Sequence, residues 1–315
     1  MGTFLIRRLG LLLVQLFIAG SLIFVVVRLI PGDPARAALG DTATKEQVAE
    51  IHAKLGLDQP LLVQFGQFWA DLFRGSLGES LISGRPVLTD IGLRFGNTLE
   101  LVLLSVLLAV VIGIPLGVAA ARRADRAHDY VITSTAVVGL SLPVFVLGTL
   151  LVLLFSVTIP VLPPTRFVTF TEDPLTHLRL IVLPVVTLAA STTAVVVRMT
   201  RSAMLEVLSS DFVRTARGKG IGERRVVVAH ALRNSMNPVT SVVGLELATL
   251  LGGTVIVETI FGWPGLSSLL MSGVESRDYP VIQGVVLVIA ALTILINLAV
   301  DVAYRLIDPR IGVST

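Results

Sequence analysis

The chain has 315 residues, of which 54% are hydrophobic and 15% charged, and its mean hydropathy is +0.86. Because soluble domains average about 45–50% apolar residues, this composition predicts a polytopic membrane protein embedded in the lipid bilayer. The net charge of +3 is modest, so we expect no nucleic-acid partner, and the absence of cysteine excludes disulfides and thiolate metal sites.

Six segments are predicted to cross the membrane in an all-α fold. A span needs about 20 mostly apolar residues to cross about 30 Å of hydrocarbon. The qualifying segments are Leu9 to Ile30, Leu99 to Ala121, Tyr130 to Ile159, Leu178 to Val197, Val239 to Val257 and Val281 to Tyr304. The third is long enough to tilt or to include an interfacial end. The first is alternatively a secretory signal, although its apolar run exceeds the usual length of about 7–15 residues.

The positions of the basic residues predict the orientation, because Lys and Arg in short loops stay on the cytosolic side. Basic residues before the first span, after the second and after the fourth all fall on one side, so we expect both termini to be cytosolic. The predicted parts are a cytosolic N-terminus with the first span (1–30), an external helical segment (31–98), spans two to four (99–197), a cytosolic segment (198–238), spans five and six (239–304) with an external loop (258–280), and a cytosolic C-terminus (305–315).

The segment between the first two spans is predicted to contain two short helices. In the first, Thr44 caps the helix with Gln47 at the third position, and Gly56 ends it. The second begins near Pro60. Its apolar face consists of Leu61, Phe65, Phe68, Trp69 and Leu72. We expect this face to pack on the spans or to lie at the membrane interface; a lid or a docking surface for an external partner is the alternative.

The segment 198–238, hereafter the basic segment, is polar although it lies between two apolar blocks. It has too few apolar residues for a core of its own, and it carries glycines at positions 218, 220 and 222. A short helix (212–217) ended by the glycines is predicted to precede a second helix (223–234). The candidates for the N-cap of the short helix are Ser209, Ser210 and Asp211. We interpret this arrangement as a knob that another protein contacts; a solvated basic loop is the alternative.

No catalytic motif is found in the sequence. The nearest approach to a phosphate-binding loop, Gly218-Lys219-Gly220, lacks the spacing and the hydroxyl group that would hold magnesium. The four histidines are scattered, and no serine lies in a nucleophile elbow. We therefore expect no catalytic residue, and no metal ion or cofactor bound by this chain.

The basic segment resembles the coupling loop of ABC-importer permeases for peptides and nickel. The resemblance rests on the run Asp211-Phe212-Val213-Arg214-Thr215-Ala216-Arg217-Gly218-Lys219-Gly220 and on His230-Ala231-Leu232-Arg233-Asn234. The general pattern of the family, Glu-Ala-Ala-x3-Gly-x9-Ile-x-Leu-Pro, is matched only at Ala216, Gly220 and Leu232. Arg214 stands in place of the glutamate, so the acidic contact of the family does not carry over, although Asp211 supplies a nearby carboxylate.

Further motifs along the chain are similar to those of the B-type permease of dipeptide and oligopeptide systems. They are Pro31-Gly32-Asp33-Pro34, Leu55-Gly56-Leu57-Asp58-Gln59-Pro60, Gly75-Ser76-Leu77-Gly78-Glu79-Ser80, Gly84-Arg85-Pro86-Val87, Val257-Glu258-Thr259-Ile260-Phe261-Gly262-Trp263-Pro264-Gly265-Leu266, Arg277-Asp278-Tyr279-Pro280 and Asp308-Pro309-Arg310. Each motif is weak alone, but together they are specific and extend over nearly the whole chain.

This resemblance implies the fold and the partners of a type I ABC importer permease in the bacterial cytoplasmic membrane. The chain would pair with a second, C-type permease, and its coupling loop (211–234) would sit in a groove of a separate ATPase subunit that binds ATP and Mg²⁺. An external binding protein would deliver di- or oligopeptides, or instead nickel chelates, haem or glutathione. The implied coupling residues are Asp211, Arg214, Thr215, Ala216, Arg217, Gly218, Lys219 and Gly220.

Ionisable and small residues near the fifth and sixth spans are candidates for the translocation pathway or its gate. Glu246 lies well inside the fifth span, where a charged side chain costs about 2.5–3.5 kcal/mol. We hypothesise that it receives a cationic group of the substrate; a structural carboxyl bonded to a neighbouring span is the alternative. The other candidates are Gly252, Gly253, Glu258, Trp263 and Pro264.

The glycine pair would allow either close helix approach or local unwinding. Trp263 and Pro264 would form part of an outer gate or an ordinary turn with the tryptophan at the membrane interface. Glu100 and Asp301 lie near span ends, where caps or interfacial pairs are expected. A secondary transporter or channel, and a membrane-bound enzyme, are the rival classes of function; the first would need charged relays or broken helices but no glycine-rich knob.

Overall fold

The computed structural model is almost entirely helical and describes residues 2–30, 32–39, 43–54, 56–163 and 165–307. Its helices are α1 (Gly2–Leu29), α2 (Pro34–Leu39), α3 (Lys45–Lys54), α4 (Leu61–Phe73), α5 (Val87–Arg122), α6 (Ala127–Ser141), α7 (Val144–Val152), α8 (Pro174–Leu208), α9 (Asp211–Gly218), α10 (Glu223–Arg225), α11 (Arg233–Gly253), α12 (Val255–Phe261), α13 (Leu266–Ser276) and α14 (Tyr279–Ile307). No β-strand occurs in these ranges. Pro31, Leu55 and the motif at 308–310 lie outside the described residues.

Within these ranges, four helices are long and apolar enough to cross a membrane: α1, α5, α8 and α14. Two further candidates are bent pairs. The first pair is α6 and the helix 144–158, which consists of α7 and a π-helical turn (Leu153–Thr158), with a 98° bend between them. The second pair is the long helix Glu223–Gly253 and α12, with a 57° bend. The prediction of an all-α polytopic fold is confirmed, with six spans if each bent pair crosses once.

The predicted third span is broken at Pro143. α6 ends at Ser141, and Leu142 has an extended backbone with φ −79° and ψ 121°. A proline disfavours helical backbone at the residue before it, and Leu142 takes the extended form, although Pro115, Pro184 and Pro238 lie inside helices. The third predicted span, Tyr130 to Ile159, which we expected to tilt or to include an interfacial end, is instead divided into two helices at Leu142 and Pro143.

Two other helices extend well beyond their apolar blocks. α5 begins at Val87 instead of Leu99, and α8 runs from Pro174 to Leu208 instead of from Leu178 to Val197. Asp173 caps α8, because its Oδ1 accepts the backbone N–H groups of Leu175 (3.1 Å) and Thr176 (3.0 Å). Hydropathy predicts only the part of a helix that crosses hydrocarbon, and these polar ends continue it.

The chain forms two compact units. The N-terminal unit comprises residues 1–98 and 264–295, and the central unit comprises residues 99–263 and 296–315. The core of the N-terminal unit contains two apolar clusters, built on Val87, Ile91, Leu266, Leu269, Val281 and Val285 and on Ile23, Val27, Tyr279, Ile282 and Leu287.

Both predicted short helices of the N-terminal unit form where expected. The backbone N–H of Gln47 donates to Thr44 Oγ1 (3.3 Å), and that of Thr44 donates to Gln47 Oε1 (2.9 Å), which closes a capping box at α3. α4 packs on α1, where the rings of Trp69 and Phe17 stack at 4.8 Å. Leu61, at the start of the predicted apolar face, stays 64% exposed. The packing of this face on the first span is thus confirmed for its aromatic residues.

In the central unit, α5 and α8 approach closely at two glycines. A Cβ atom added to Gly113 would lie 2.8 Å from Val196 Cγ1, and one added to Gly117 would lie 2.6 Å from Thr200 Cβ. Glycines four residues apart lie on one face of a helix, and their missing side chains let two helix backbones come together. This contact places α8 against α5 in the core of the unit.

Candidate functional site

The basic segment is more helical than its sequence predicts. Residues 198–208 belong to α8, and α10 continues through a π-helical turn (Val226–Leu232) into α11. The second predicted helix (223–234) was expected to end before Pro238. This expectation is wrong, because the helix continues into α11, which contains this proline. The basic segment is thus a short helix, α9, held between the ends of two long helices.

Helix α9 has one buried face. Val213 is fully buried, and Ala216 is 9% exposed, against Val226. Partly buried Ile221 completes this cluster. Ala216, one of the predicted coupling residues, therefore packs against the rest of the protein. Its side chain is not part of the exposed surface of α9 that a partner could contact.

The other predicted coupling residues are exposed together. Asp211 and Arg214 have side chains that are 95% and 74% exposed. Phe212, which the sequence analysis did not single out, places an apolar ring in this surface at 46% exposure. The remaining exposed members are Thr215, Arg217, Gly218, Lys219 and Gly220. Their surface combines an apolar ring, charges of both signs and glycines that add no bulk.

One of the three N-cap candidates occupies the N-cap of α9, but its side chain makes no capping bond. Ser210 occupies the N-cap of α9, yet its hydroxyl donates to the carbonyl of Val207 (2.5 Å) instead of accepting from the first turn. This bond joins the start of α9 to the last turn of α8.

The turn after α9 is fixed by its backbone and by an ion pair. Gly220 has a φ of +77°, which a residue with a side chain adopts only with strain. Arg217 Nη2 and Nε donate to the two carboxylate oxygens of Glu223 at 2.8 and 3.1 Å. These hydrogen bonds raise the pKa of Arg217 above its ordinary value. The end of α9 is thus tied to the start of the following helix.

That following helix enters the core of the central unit. Val227 and Ala231 pack with Met204 of α8 and Ala121 of α5. All four residues are buried. A helix that runs without interruption from Glu223 to Gly253 therefore connects α9 to a candidate span.

Glu246 lies on this same helix and has a partner on α8. The hydroxyl of Thr192, which is fully buried, donates to Glu246 Oε2 at 3.1 Å. Glu246 itself is only partly buried. Its carboxylate is thus held by a neighbouring helix while one side remains accessible.

The glycine pair coincides with a bend in the helix. α11 ends at Gly253 and α12 begins at Val255. No atom lies within 4 Å of a Cβ placed on Gly252 or Gly253, so close helix approach does not explain the pair within the described chain. At the bend, Thr254 Oγ1 donates to Oε1 of Glu258 in α12 at 3.0 Å, and both residues are buried.

Trp263 is buried, which argues against one of its two predicted roles, that of a residue at the membrane interface. It is 1% exposed, and its ring meets Phe167 edge to face at 4.9 Å and lies 5.3 Å from His177. His177 Nε2 lies 2.9 Å from Glu100 Oε1, and its Nδ1 lies 2.8 Å from the carbonyl of Val168. The pair that was expected for Glu100 is present. A lone histidine with no second histidine at helical spacing carries no sequence signal, so the role of His177 was missed.

Pro264 belongs to the N-terminal unit and caps a turn there. The side-chain amide of Asn97 donates to the Pro264 carbonyl at 2.8 Å, and the hydroxyl of Thr98 accepts the backbone N–H of Leu266 at 2.7 Å. Asp301 has no described side chain.

A buried ion pair in the central unit was not foreseen. Arg201 Nε and Nη2 donate to the two carboxylate oxygens of Asp129, each at 2.6 Å. The Asp129 side chain is only 3% exposed, and Thr133 Oγ1 and the backbone N–H of Asp125 also donate to it. Arg201, assigned to the basic segment from its sequence position, therefore fastens α8 to the start of α6 instead of facing a partner.

Comparison with known families identifies the whole chain. Residues 113–313 match the family described as "Binding-protein-dependent transport system inner membrane component", and residues 1–102 match its N-terminal family. The glutathione transport system permease protein GsiC of Salmonella choleraesuis is 44% identical over 99% of both chains, and that of Escherichia coli K12 is 43% identical over the same shares. The probable peptide ABC transporter permease protein y4tP of Sinorhizobium fredii is 40% identical over 99% of both.

The fold has a counterpart among solved structures. The inward-facing methionine ABC transporter MetNI contains a chain that aligns with a TM-score of 0.56 and 18% identity, over 70% of this chain and 97% of that chain. At this level of identity the likeness establishes the fold alone. Together with the two family matches, it means that this chain belongs to the inner membrane components of binding-protein-dependent transport systems and is the permease subunit of an ABC importer.

Proposed function

We propose that this permease performs no chemistry itself, forms half of a translocation pathway, and receives motion from a separate ATPase through α9. The continuous helix Glu223–Gly253 carries this proposal. Its first turns are tied to α9, and the same helix holds Glu246. A displacement of α9 would therefore reach a candidate span without passing through a flexible loop.

The proposed orientation places both termini and the basic segment in the cytosol. It is supported by the position of the basic residues in the short loops. The N-terminal unit's segment 32–98 would then lie outside, where a binding protein can reach it.

The proposed partners follow from the surfaces that are available. An ATPase, which binds ATP and Mg²⁺, would contact the exposed residues of α9, and a binding protein would deliver the substrate. A second, C-type permease would complete the pathway. Support for it comes from an apolar stripe on α5, where Leu103, Leu107 and Val111 are 53%, 57% and 59% exposed and recur every fourth residue.

The proposed substrates are di- and oligopeptides, including glutathione. The relatives named above are permeases for glutathione and for peptides, and they match along nearly their entire length. The accessible side of Glu246 would receive the ammonium group of such a substrate. Glu258, which is buried and bonded to Thr254, would instead stabilise the bend near the end of the pathway.

The coupling role is tested by adding bulk to α9 without straining it. Gly218 is helical and exposed, and no atom lies within 4 Å of the position of a Cβ. Gly218→Trp should leave insertion and assembly unchanged but should reduce uptake per ATP hydrolysed by roughly tenfold or more, because the bulky ring would separate α9 from its partner. The measurement uses proteoliposomes that contain the complete importer.

Gly218→Ala is the matched control and should behave as the wild type. Gly220 is a poorer position, because its positive φ would strain any substituted residue whether or not α9 contacts a partner. Full coupling in the Gly218→Trp importer would contradict the proposed role of α9.

A further inference from the structure

The N-terminal unit contains a cavity of about 650 Å³ that the proposed function does not use. This volume lies within the range of about 300–1,000 Å³ that is common for small-molecule sites. Motifs far apart in the sequence meet in its wall, because Gln59, Gly78 and Pro280 come from three of them.

The wall of this cavity holds one basic residue, Arg28, near the end of α1. Its Nε donates to Gln64 Oε1 (3.0 Å), its Nη1 donates to the carbonyl of Phe24 (3.1 Å), and its Cζ lies 3.4 Å from the centre of the Phe24 ring. No carboxylate forms an ion pair with it in the described part of the chain. Two of its five N–H hydrogens are thus in use, and the remaining three are on Nη1 and Nη2.

Gln64 fixes the position of this guanidinium. Its side chain is buried, and its Nε2 donates to the carbonyls of Leu57 (3.2 Å) and Gln59 (2.8 Å). Because Nε2 is held by these two carbonyls, the Oε1 atom of Gln64 points towards Arg28 and accepts its Nε–H. A donor that is held in place before a ligand arrives loses little entropy on binding.

Two neutral polar side chains of the cavity wall are available to a ligand. The hydroxyl of Tyr279 and the side-chain amide of Gln283 form no hydrogen bond with another described residue. Asp71, whose side chain is 57% exposed and lies 3.7 Å from Nη1 of Arg74, and Glu79 add negative charges elsewhere in the wall. The cavity thus offers one cation, neutral hydrogen-bonding groups and two carboxylates.

We propose that this cavity binds the carboxylate terminus of a short peptide. Nη1 and Nη2 of Arg28 would each donate a hydrogen bond to one oxygen of the carboxylate, in the bidentate geometry that guanidinium groups favour. Tyr279 and Gln283 would bond the peptide amides, and Asp71 would attract the ammonium terminus. The choice of a peptide rests on the proposed substrate class, and the carboxylate-binding role of Arg28 rests on its missing counter-ion.

The test measures binding to the complete importer in nanodiscs, without its binding protein, by isothermal titration calorimetry. The probes are trialanine and trialanine amide, which lacks the terminal carboxylate. Removing one charged hydrogen-bond partner should weaken binding about ten- to hundredfold, both for the amide on the wild type and for trialanine on Arg28→Gln. Arg36→Gln, at a 73% exposed arginine of the same unit, should change the affinity less than about twofold.

A second variant guards against misfolding of Arg28→Gln. Gln283→Glu leaves the bonds between Arg28 and Gln64 in place but supplies a carboxylate inside the cavity, so it should also weaken trialanine binding. Equal binding of the acid and the amide would overturn the proposal. Phospholipid bound in place of trialanine, and lost in Arg28→Gln, would overturn it as well. The Gly218→Trp importer should still bind trialanine, so the coupling role and this site can fail independently.

Discussion

Asp33 shows how a single side chain holds the N-terminal unit together. Its Oδ1 lies 2.8 Å from Nε2 of His52, so the turn after α1 is fastened to α3. Burial acts to raise the pKa of Asp33, but the hydrogen bonds from His52 and from the backbone of Ala35 and Arg36 outweigh it, and the pKa falls below its ordinary value of 3.8. A carboxylate with a lowered pKa stabilises the fold above its unfolded-state pKa.

We therefore predict that Asp33→Asn lowers the thermal unfolding midpoint at neutral pH. The difference from the wild type should persist down to about pH 4 and disappear as the pH falls through the lowered pKa of Asp33. Circular dichroism of the purified chain in detergent between pH 3 and 7 measures it. Asp58→Asn is the control, because Asp58 is 60% exposed and lies 3.9 Å from His52. A difference that grows on acidification would contradict the assignment.

Two substitutions can test the charge of Glu246 and its hydrogen bond to Thr192 separately. Glu246→Gln keeps an oxygen that accepts from Thr192 but removes the charge, whereas Thr192→Val removes the donor and keeps the charge. If the carboxylate receives a substrate ammonium, only Glu246→Gln should slow uptake of trialanine, by about tenfold for a lost charged partner. Initial uptake rates in proteoliposomes decide this. A slower rate in Thr192→Val alone would favour the structural carboxyl.

At the scale of helices, the contact between α5 and α8 depends on the absence of side chains. The methyl group of Gly113→Ala would lie 2.8 Å from Val196, so the helices must separate or Val196 must move. Overpacking of this kind costs about 1–3 kcal/mol. Gly92 lies in the same helix with no atom within 4 Å of a Cβ, so Gly92→Ala should stabilise by up to about 1 kcal/mol.

Thermal unfolding of the two variants in detergent compares them directly. Gly113→Ala should unfold at a lower temperature than the wild type, and Gly92→Ala should unfold at the same or a higher temperature. Equal stability of both would mean that the contact between α5 and α8 is easily adjusted.

The helices also mark the limit of prediction from hydropathy. Apolar length located every candidate span, but it missed the ends of α8, which are polar, and the break at Pro143, where the apolar run continues. Caps and glycines predicted α3 and the end of α9 well, since these signals act within a few residues. The merger of the second cytosolic helix with α11 depends on packing around Met204, which local signals do not contain.

For the molecule as a whole, the topology depends on how the 98° bend between α6 and α7 is placed in the membrane. If the pair crosses once, the loop that follows is external and the basic segment is cytosolic. If the pair instead enters and leaves the membrane on the same side, the loop would be cytosolic and the basic segment would be external. The chain contains no cysteine, so labelling of a single introduced cysteine shows on which side of the membrane it lies, with no label on other residues of this chain.

We predict that Thr171→Cys in intact cells reacts with a membrane-impermeant maleimide and that Thr215→Cys reacts only after permeabilisation. Both residues are exposed, so access to the reagent depends on the membrane alone. The reverse labelling pattern would refute six single crossings and the cytosolic position of α9.

The sequence by itself determined that the chain is a helical membrane protein, where most of its helices lie and which short helix projects from them. These properties depend on hydrophobic length, caps and glycines, which act over one element. Only the tertiary structure decided that Ala216 and Trp263 face inward, that Arg201 pairs with Asp129, and that Arg28 lies in a cavity wall without an ion-pair partner among the described residues. Each of these depends on segments distant in the chain being packed together, as with Asp129 and Arg201, which are 72 residues apart.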